Sequence, residues 1–141
     1  MRCMVLMKAT PESEAGVMPS TRLLQAMGAF NEQLVDAGVL LAGEGLHPSA
    51  RGLRVRYDAH GHTVSAGPFA ATGELVAGFW LLQVRSLDEA LAWAERIPNP
   101  DRAQFEVEIR QVFEMEDFGQ AMTPELREQE NQLRARLDQP A

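Results

Sequence analysis

The chain is poor in cysteine, in cationic residues and in long hydrophobic runs. Cys3 is the only cysteine among 141 residues, so no intrachain disulfide can form. The 13 lysines and arginines are outnumbered by 20 aspartates and glutamates, and the net charge of −7 argues against non-specific binding to nucleic acid or to an anionic membrane. No apolar run approaches the ~20 residues of a membrane-spanning helix, and the N-terminus lacks the layout of a signal peptide. We therefore expect a cytoplasmic protein that binds neither nucleic acid nor membrane directly.

The remaining composition is ordinary for one compact domain. Hydrophobic residues make up 45% of the chain and charged residues 23%, and the one bias is a preference for arginine. A domain of this size buries about 70% of the surface that its unfolded form exposes, so it needs neither a disulfide nor a metal to stabilise a core.

Alternating and helical hydrophobic patterns predict six strands and two helices. Ser20 has the side chain of an N-cap and Gly38 is a natural stop, which places the first helix between them. Ser86 and Glu89 form a Ser-x-x-Glu capping box that begins the second helix, which ends before Pro98. The strands are predicted at residues 2–9, 39–43, 53–57, 63–65, 78–84 and 105–113. The strand at residues 39–43 is expected to be buried, and residues 10–19 are expected to form a loop.

This order of elements matches the ferredoxin-like βαββαβ motif, an α+β fold with an antiparallel sheet. Both helices of that fold pack on one face of the sheet and leave the other face without cover. The predicted strands at residues 2–9 and 78–84 are nevertheless apolar on both faces, as is typical of strands that are buried on each side. We therefore expect a second copy of the chain to cover the remaining face, in a homodimer.

The last part of the chain differs from the rest. Residues 114–141 contain seven acidic and three basic residues and contribute −4 of the net charge. Thr123 and Pro124 are typical of a helix start, but the helix that follows has few apolar residues and should be marginal alone. We therefore divide the chain into a folded domain, residues 1–113, and an acidic helical extension, residues 114–141, which docks on a partner protomer or frays.

Two stretches carry a family resemblance: residues 39–49, VLLAGEGLHPS, and residues 66–74, AGPFAATGE. With further matches in the same order up to Glu108-Ile109-Arg110, the chain resembles the YCII-related family over roughly residues 1–113. The resemblance is to the branch named for its Asp-Gly-Pro-Phe (DGPF) motif. It implies a ferredoxin-like domain that dimerises through its open sheet face into an α/β barrel, and it assigns no particular chemistry.

The chain departs from the family pattern at two motif positions. Ala66 stands where the motif has Asp, and Gly73 stands where the family's extended motif has Lys. Other relatives carry a His beside an Asp on the first helix, but no His lies between residues 20 and 46 here, so a His-Asp mechanism lacks its parts. The resemblance therefore transfers only Gly67-Pro68-Phe69 and Glu74 as motif positions, without assigned roles.

Charged residues of the last strand are the first candidates for a pocket. If their face points away from the helices, Glu106, Glu108 and Arg110 face the dimer interior. Arg54 and Arg56 join them if they share that face. Such paired charges suit a small anionic or polar ligand, because Arg offers a planar fork to carboxylate or phosphate. The alternatives are mutual ion pairing across strands or a solvated outer face.

Three further residues near loops complete the candidate pocket. Glu44 and His47 lie three residues apart, where a strand becomes a loop. Either both side chains converge on the mouth of a pocket, where His47 could transfer a proton, or His47 lies in a surface loop. Glu74 either caps a short turn or projects into the cavity. In Gly67-Pro68-Phe69, Gly and Pro favour a turn, and Phe69 either plugs a core or interface pocket or shapes the lip of a ligand pocket.

Two other signals are weak. Asp58, His60 and His62 resemble a fragment of a metal site, but a fourth ligand at a defined spacing is missing, so we expect a polar turn and no metal. Cys3 lies in an apolar strand, where a thiol is usually an inert small hydrophobe. No pattern predicts a cofactor.

Two classes of function remain open. The first is a small polar or anionic molecule bound in a cavity of the dimeric barrel, with or without turnover. The second is a non-catalytic regulatory module, whose acidic extension engages a protein partner such as a transcription factor of the kind that accompanies relatives of this family.

Overall fold

The computed structural model of the chain describes residues 1–70 and 72–140. The chain divides into two compact units, Met1–Gln111 and Val112–Ala141. Within the described ranges, no helix is both long enough and apolar enough to cross a membrane.

The described residues of the first unit form six strands and three α-helices. The strands are β1 (Arg2–Lys8), β2 (Leu40–Gly45), β3 (Leu53–Asp58), β4 (Gly61–Ala66), β5 (Val76–Gln83) and β6 (Val107–Gln111). The helices are α1 (Pro11–Glu14), α2 (Thr21–Asp36) and α3 (Leu87–Ala94), and short 3₁₀ turns lie at Ser49–Arg51 and Thr72–Glu74.

Four strands form an antiparallel sheet in the order β2-β5-β1-β6, and β3 pairs with β4 in a separate hairpin. The sheet strands and the two long helices follow one another as β1, α2, β2, β5, α3, β6, which is the ferredoxin-like βαββαβ order. The predicted α+β fold is therefore confirmed. The hairpin is inserted between the second and third strands of the motif.

Side-chain caps determine where the two long helices begin. The hydroxyl of Ser20 accepts a hydrogen bond from the N–H of Leu23 (3.1 Å), and the hydroxyl of Ser86 accepts one from the N–H of Glu89 (3.1 Å). The predicted capping box is only half formed, because the Glu89 carboxylate accepts from the N–H of Arg85 (2.8 Å) instead of Ser86. Each helix thus starts with one of its free backbone donors satisfied.

The core lies between the sheet and helices α2 and α3. Trp80 packs edge-on against Phe30, with ring centroids 5.8 Å apart, and its indole N–H donates to the side-chain oxygen of Asn31 (2.8 Å). The face of the sheet that carries this core is called the near face below. The buried side chains of the cluster are Cys3, Val5, Phe30, Leu34, Val39, Trp80, Leu82, Val84 and Ala90.

Two segments differ from the predicted pattern. Residues 11–14 form α1 instead of a loop, because the side chains of Thr10 and Ser13 each accept a hydrogen bond from the other's backbone N–H. Strand β2, expected to be buried, is exposed from Leu41 onward. It is one of the two edge strands of the sheet, and among the described residues its neighbouring strand is β5.

The second unit contains a 3₁₀ segment, Met115–Ala121, followed by α4 (Pro124–Leu137). The hydroxyl of Thr123 accepts a hydrogen bond from the N–H of Leu126 (3.2 Å), which confirms the predicted helix start. The rings of Phe113 and Phe118 stack with centroids 5.0 Å apart.

Candidate functional site

Two rows of paired residues cross the far face of the sheet, which is the face turned away from α2 and α3. In an antiparallel sheet, residues directly opposite one another share a face, so the strand register defines each row. Both rows are apolar on the two central strands and carry a charged residue on β6. The first row is Glu44, Phe79, Leu6 and Glu108, and the second is Ala42, Leu81, Met4 and Arg110.

Three charged side chains meet at the β6 edge of the far face, and we call Lys8, Glu108 and Arg110 the ionic cluster. One carboxylate oxygen of Glu108 lies 3.6 Å from the ammonium of Lys8, and the other accepts a hydrogen bond from the guanidinium of Arg110 (3.2 Å). The Lys8 side chain is only 17% exposed, whereas Glu108 is 40% and Arg110 71% exposed. Two cations therefore converge on one carboxylate beside an apolar floor.

The neighbouring cations affect the titration of Glu108. The hydrogen bond from Arg110 and, next, the positive charge of Lys8 hold the pKa of this carboxyl below its ordinary value. Glu108 is therefore a stable anion at neutral pH. Glu44 lies at the opposite end of its row, three strand spacings or ~14 Å away, so it does not take part in this cluster.

Three of the six residues predicted for the pocket lie on the far face, and of these only Glu108 and Arg110 are in contact. Glu44, Glu108 and Arg110 share the far face, whereas Arg54, His47 and Glu74 lie outside the four-stranded sheet. His47 follows β2 in an exposed loop, where its ring nitrogens lie 3.2 and 3.3 Å from the guanidinium of Arg51. Glu74 is exposed at the end of the 3₁₀ turn Thr72–Glu74. The proposed pocket composition thus remains a prediction.

Lys8 was missed in the sequence because β1 was interpreted as an entirely apolar strand. Its position contained a usable signal, since Lys8 follows Leu6 by two residues and must share its face if the strand continues. What the sequence could not provide is the register that places Glu108 opposite Leu6.

The Gly67-Pro68-Phe69 motif packs against the turn that precedes the hairpin. A methyl group added at Gly67 would lie 1.7 Å from the carbonyl oxygen of Ser49, so this close approach requires glycine. The N–H of Gly67 donates to the carbonyl of Gly52 (2.9 Å), and the N–H of Phe69 donates to the hydroxyl of Ser49 (2.9 Å).

Glu14 and Arg54 complete the contacts around this motif. The Glu14 carboxylate accepts hydrogen bonds from both the N–H and the hydroxyl of Ser49. The guanidinium carbon of Arg54 lies 3.9 Å from the centre of the Phe69 ring, a cation–π contact. These contacts join α1, the 3₁₀ turn at Ser49–Arg51 and the motif at the base of the β3–β4 hairpin, so the motif serves packing and Arg54 is engaged with it.

The polar turn of the β3–β4 hairpin is stabilised by local contacts. The Asp58 carboxylate accepts a hydrogen bond from the N–H of His60 (2.7 Å), and the ring of His62 lies 5.7 Å from that of Tyr57. Among the described residues, no three His, Cys, Asp or Glu side chains are grouped closely enough to hold a metal ion.

Cys3 is fully buried, and this burial raises the pKa of its thiol, as expected for an inert core residue.

Comparison with known proteins gives three findings. The model of the YCII-related domain matches residues 1–116. An uncharacterized protein of Rhizobium meliloti (strain 1021) is 34% identical over 89 residues, which cover 63% of this chain and 72% of that protein. A solved structure, the 5-chloro-2-hydroxyhydroquinone dehydrochlorinase of Burkholderia phenoliruptrix AC1100 in complex with 2,5-dihydroxybenzoquinone, aligns with a TM-score of 0.47 and 17% identity. That alignment covers 80% of this chain and 94% of the other.

Replacing Gly67 by alanine should destabilise the first unit. The added methyl group would overlap the Ser49 carbonyl, and relieving that overlap costs about 1–3 kcal/mol of unfolding free energy. Gly73→Ala is the matched control, because none of the residues that the structure describes has an atom within 4 Å of the one it would add. Urea unfolding of both variants measures the difference, and equal stabilities would contradict the close packing of the motif.

Removing Arg110 should raise the pKa of Glu108. The pKa of Glu108 is lower in the folded than in the unfolded chain, where it is about 4.3, as in an ordinary Glu. The ion pairs of Glu108 therefore stabilise the fold above about pH 4.3, and this stabilisation is lost as the pH falls through the lowered folded-state pKa. In Arg110→Gln, a carboxyl-carbon NMR titration should show Glu108 closer to its ordinary pKa. Glu89, whose pKa is lowered mainly by the backbone N–H of Arg85, should not change. An unchanged titration of Glu108 would refute the pairing.

Proposed function

Because the chain belongs to the YCII-related domain family, we propose that the far face of its sheet binds a small polar or anionic molecule in a cavity formed with a second copy of the chain. The observation that carries the proposal is the arrangement of the far face, an apolar floor with the ionic cluster at one edge. We also propose that residues 1–113 form the binding domain and that residues 114–141 are an extension of it.

The chemistry of the far face supports ligand binding. Small-molecule sites are lined mostly by apolar side chains, with a few polar groups that fix the orientation of the ligand. Met4, Leu6, Phe79 and Leu81 are half-buried and supply the apolar part. The ionic cluster supplies both a cationic fork and a carboxylate, so it can bind an anionic group or accept a hydrogen bond from a hydroxyl.

The charge distribution of the far face supports a second copy as its cover. Apolar side chains on a sheet face are normally covered by another layer, and both long helices of the first unit pack on the near face. Glu44 lies on the edge strand β2, whereas the ionic cluster, with a net charge of +1, lies at the opposite edge. A twofold axis parallel to the strands would lay the acidic edge of one sheet over the cationic edge of the other. Sheets stacked about 10 Å apart would leave their side chains to line the cavity.

The regulatory alternative depends on the acidic residues 114–141 capturing a protein partner. It remains a prediction; within this extension, Arg127 forms an ion pair with Glu116 (3.4 Å).

A charge placed in the middle of the far face should abolish the dimer. Leu81→Glu puts a carboxylate among apolar side chains, where an unpaired charge is costly to bury. Leu91→Glu on α3 is the matched control, since Leu91 is already 47% exposed. Light scattering at micromolar concentration should give twice the 15.6 kDa chain mass for the wild type and the control, and the chain mass for Leu81→Glu. A wild-type mass of one chain in this measurement would contradict the proposed dimer.

Ligand binding should depend on Arg110. We expect a thermal-shift panel of carboxylates, phosphates and phenols to contain a stabilising ligand, since a ligand at 100 times its Kd adds about 2.7 kcal/mol. Arg110→Ala should remain a folded dimer and gain less from that ligand than the wild type. Arg85→Ala, which removes an arginine that is 93% exposed, should behave as the wild type. Equal gains in the Arg110 variant and the wild type would exclude this site.

A further inference from the structure

The ionic cluster has an unusual composition. Lys8 is the only lysine of the chain, whose other twelve cationic side chains are arginines. It lies on a central strand of the sheet, and its side chain is only 17% exposed. A cation in such a place needs an anionic partner, because removing it from water is costly.

Glu108 provides that partner in a particular way. Its two carboxylate oxygens are divided between two cations, one towards Lys8 and the other towards Arg110. A free carboxylate placed between an ammonium and a guanidinium would make the same two contacts. Glu108 therefore occupies the position that an anionic ligand would prefer.

We propose that Lys8 and Arg110 form a receptor for a monocarboxylate with an apolar body, and that Glu108 fills this receptor until the ligand displaces it. This inference rests on the proposed function, since it names the ligand class of the same far face. Displacement requires only that the Glu108 side chain turn aside, and with 40% of that side chain exposed the released carboxylate can reach water.

Charge and shape together select this ligand class. Two cations and one carboxylate leave the cluster with a net charge of +1, which a single carboxylate neutralises, whereas a doubly charged phosphate would leave an excess of negative charge. Leu6 adjoins Glu108 in its row and Met4 adjoins Arg110, with Phe79 and Leu81 beyond them. An aromatic or aliphatic body attached to the carboxylate would therefore rest on apolar side chains.

A single lysine makes the test direct. Biosynthetic labelling with lysine that carries ¹³C only at its ε carbon gives one labelled side-chain NMR signal in the whole chain, that of Lys8. Benzoate is the probe, benzyl alcohol is its neutral counterpart, and inorganic phosphate is an anion without an apolar body, all at matched ionic strength. We expect benzoate to shift the Lys8 signal saturably, and the other two compounds to bind at least about tenfold more weakly.

Variants test the role of Glu108. Glu108→Gln removes the competing charge at nearly the same shape, so the Kd for benzoate should fall by about threefold or more. Arg110→Gln should raise it. Glu89→Gln is the matched control, because Glu89 also pairs with an arginine, Arg85 (3.2 Å), but lies on α3. Circular dichroism verifies that each variant is folded.

The outcomes separate this inference from the proposed function. Benzoate binding that is unchanged or weaker in Glu108→Gln would overturn the displacement of Glu108 while leaving the proposed site intact. Equal binding of phosphate or benzyl alcohol would overturn the ligand class. A Lys8 signal that benzoate does not move, in the wild type or in Glu108→Gln, would overturn the receptor itself. In that case the thermal-shift panel with Arg110→Ala still decides whether the far face binds another molecule.

Discussion

The fold of the first unit depends on two central strands, β1 and β5, that carry apolar side chains on both faces of the sheet. The helices cover only one of these two faces. On β1, Cys3 and Val5 point into the helix-covered core, and Met4 and Leu6 point to the far face. A single layer of two helices satisfies the near face and leaves the far face with apolar side chains that favour burial. The proposed ligand site and the proposed dimer interface both lie on that far face.

The far face combines this apolar floor with charge at its edges. Because the strand register aligns Leu6 with Glu108 and Met4 with Arg110, the charged residues of β6 continue the apolar rows instead of forming a separate surface. Lys8 then joins them from the end of β1. Such a surface has the general composition of a ligand site, and this composition is the basis for the proposed binding of a small molecule.

The family motif has a different task. Gly67 lies so close to the Ser49 carbonyl that a side chain is excluded, and Phe69 packs under the guanidinium of Arg54. The Glu14 carboxylate accepts hydrogen bonds from the N–H and the hydroxyl of Ser49. The motif therefore builds the base of the β3–β4 hairpin, which explains why Gly and Pro at this turn could be assigned a structural role from their chemistry alone.

Local patterns in the sequence determined the elements and the α+β fold, because helix caps such as Ser20 and the alternation of apolar residues depend on neighbours within a few positions. Alternation also placed Glu108 and Arg110 on the same face of the last strand, because residues two apart in a strand share a face. Tertiary structure decided which charged side chains meet. Lys8 lies in the ionic cluster, although the sequence did not indicate it, whereas Arg54, which was predicted for the pocket, lies on the separate β3–β4 hairpin. The meeting of Glu14 and Ser49, 35 residues apart, likewise had no local signal. Convergence of side chains depends on the register between strands that are distant in sequence, and the pattern along one chain does not encode that register locally.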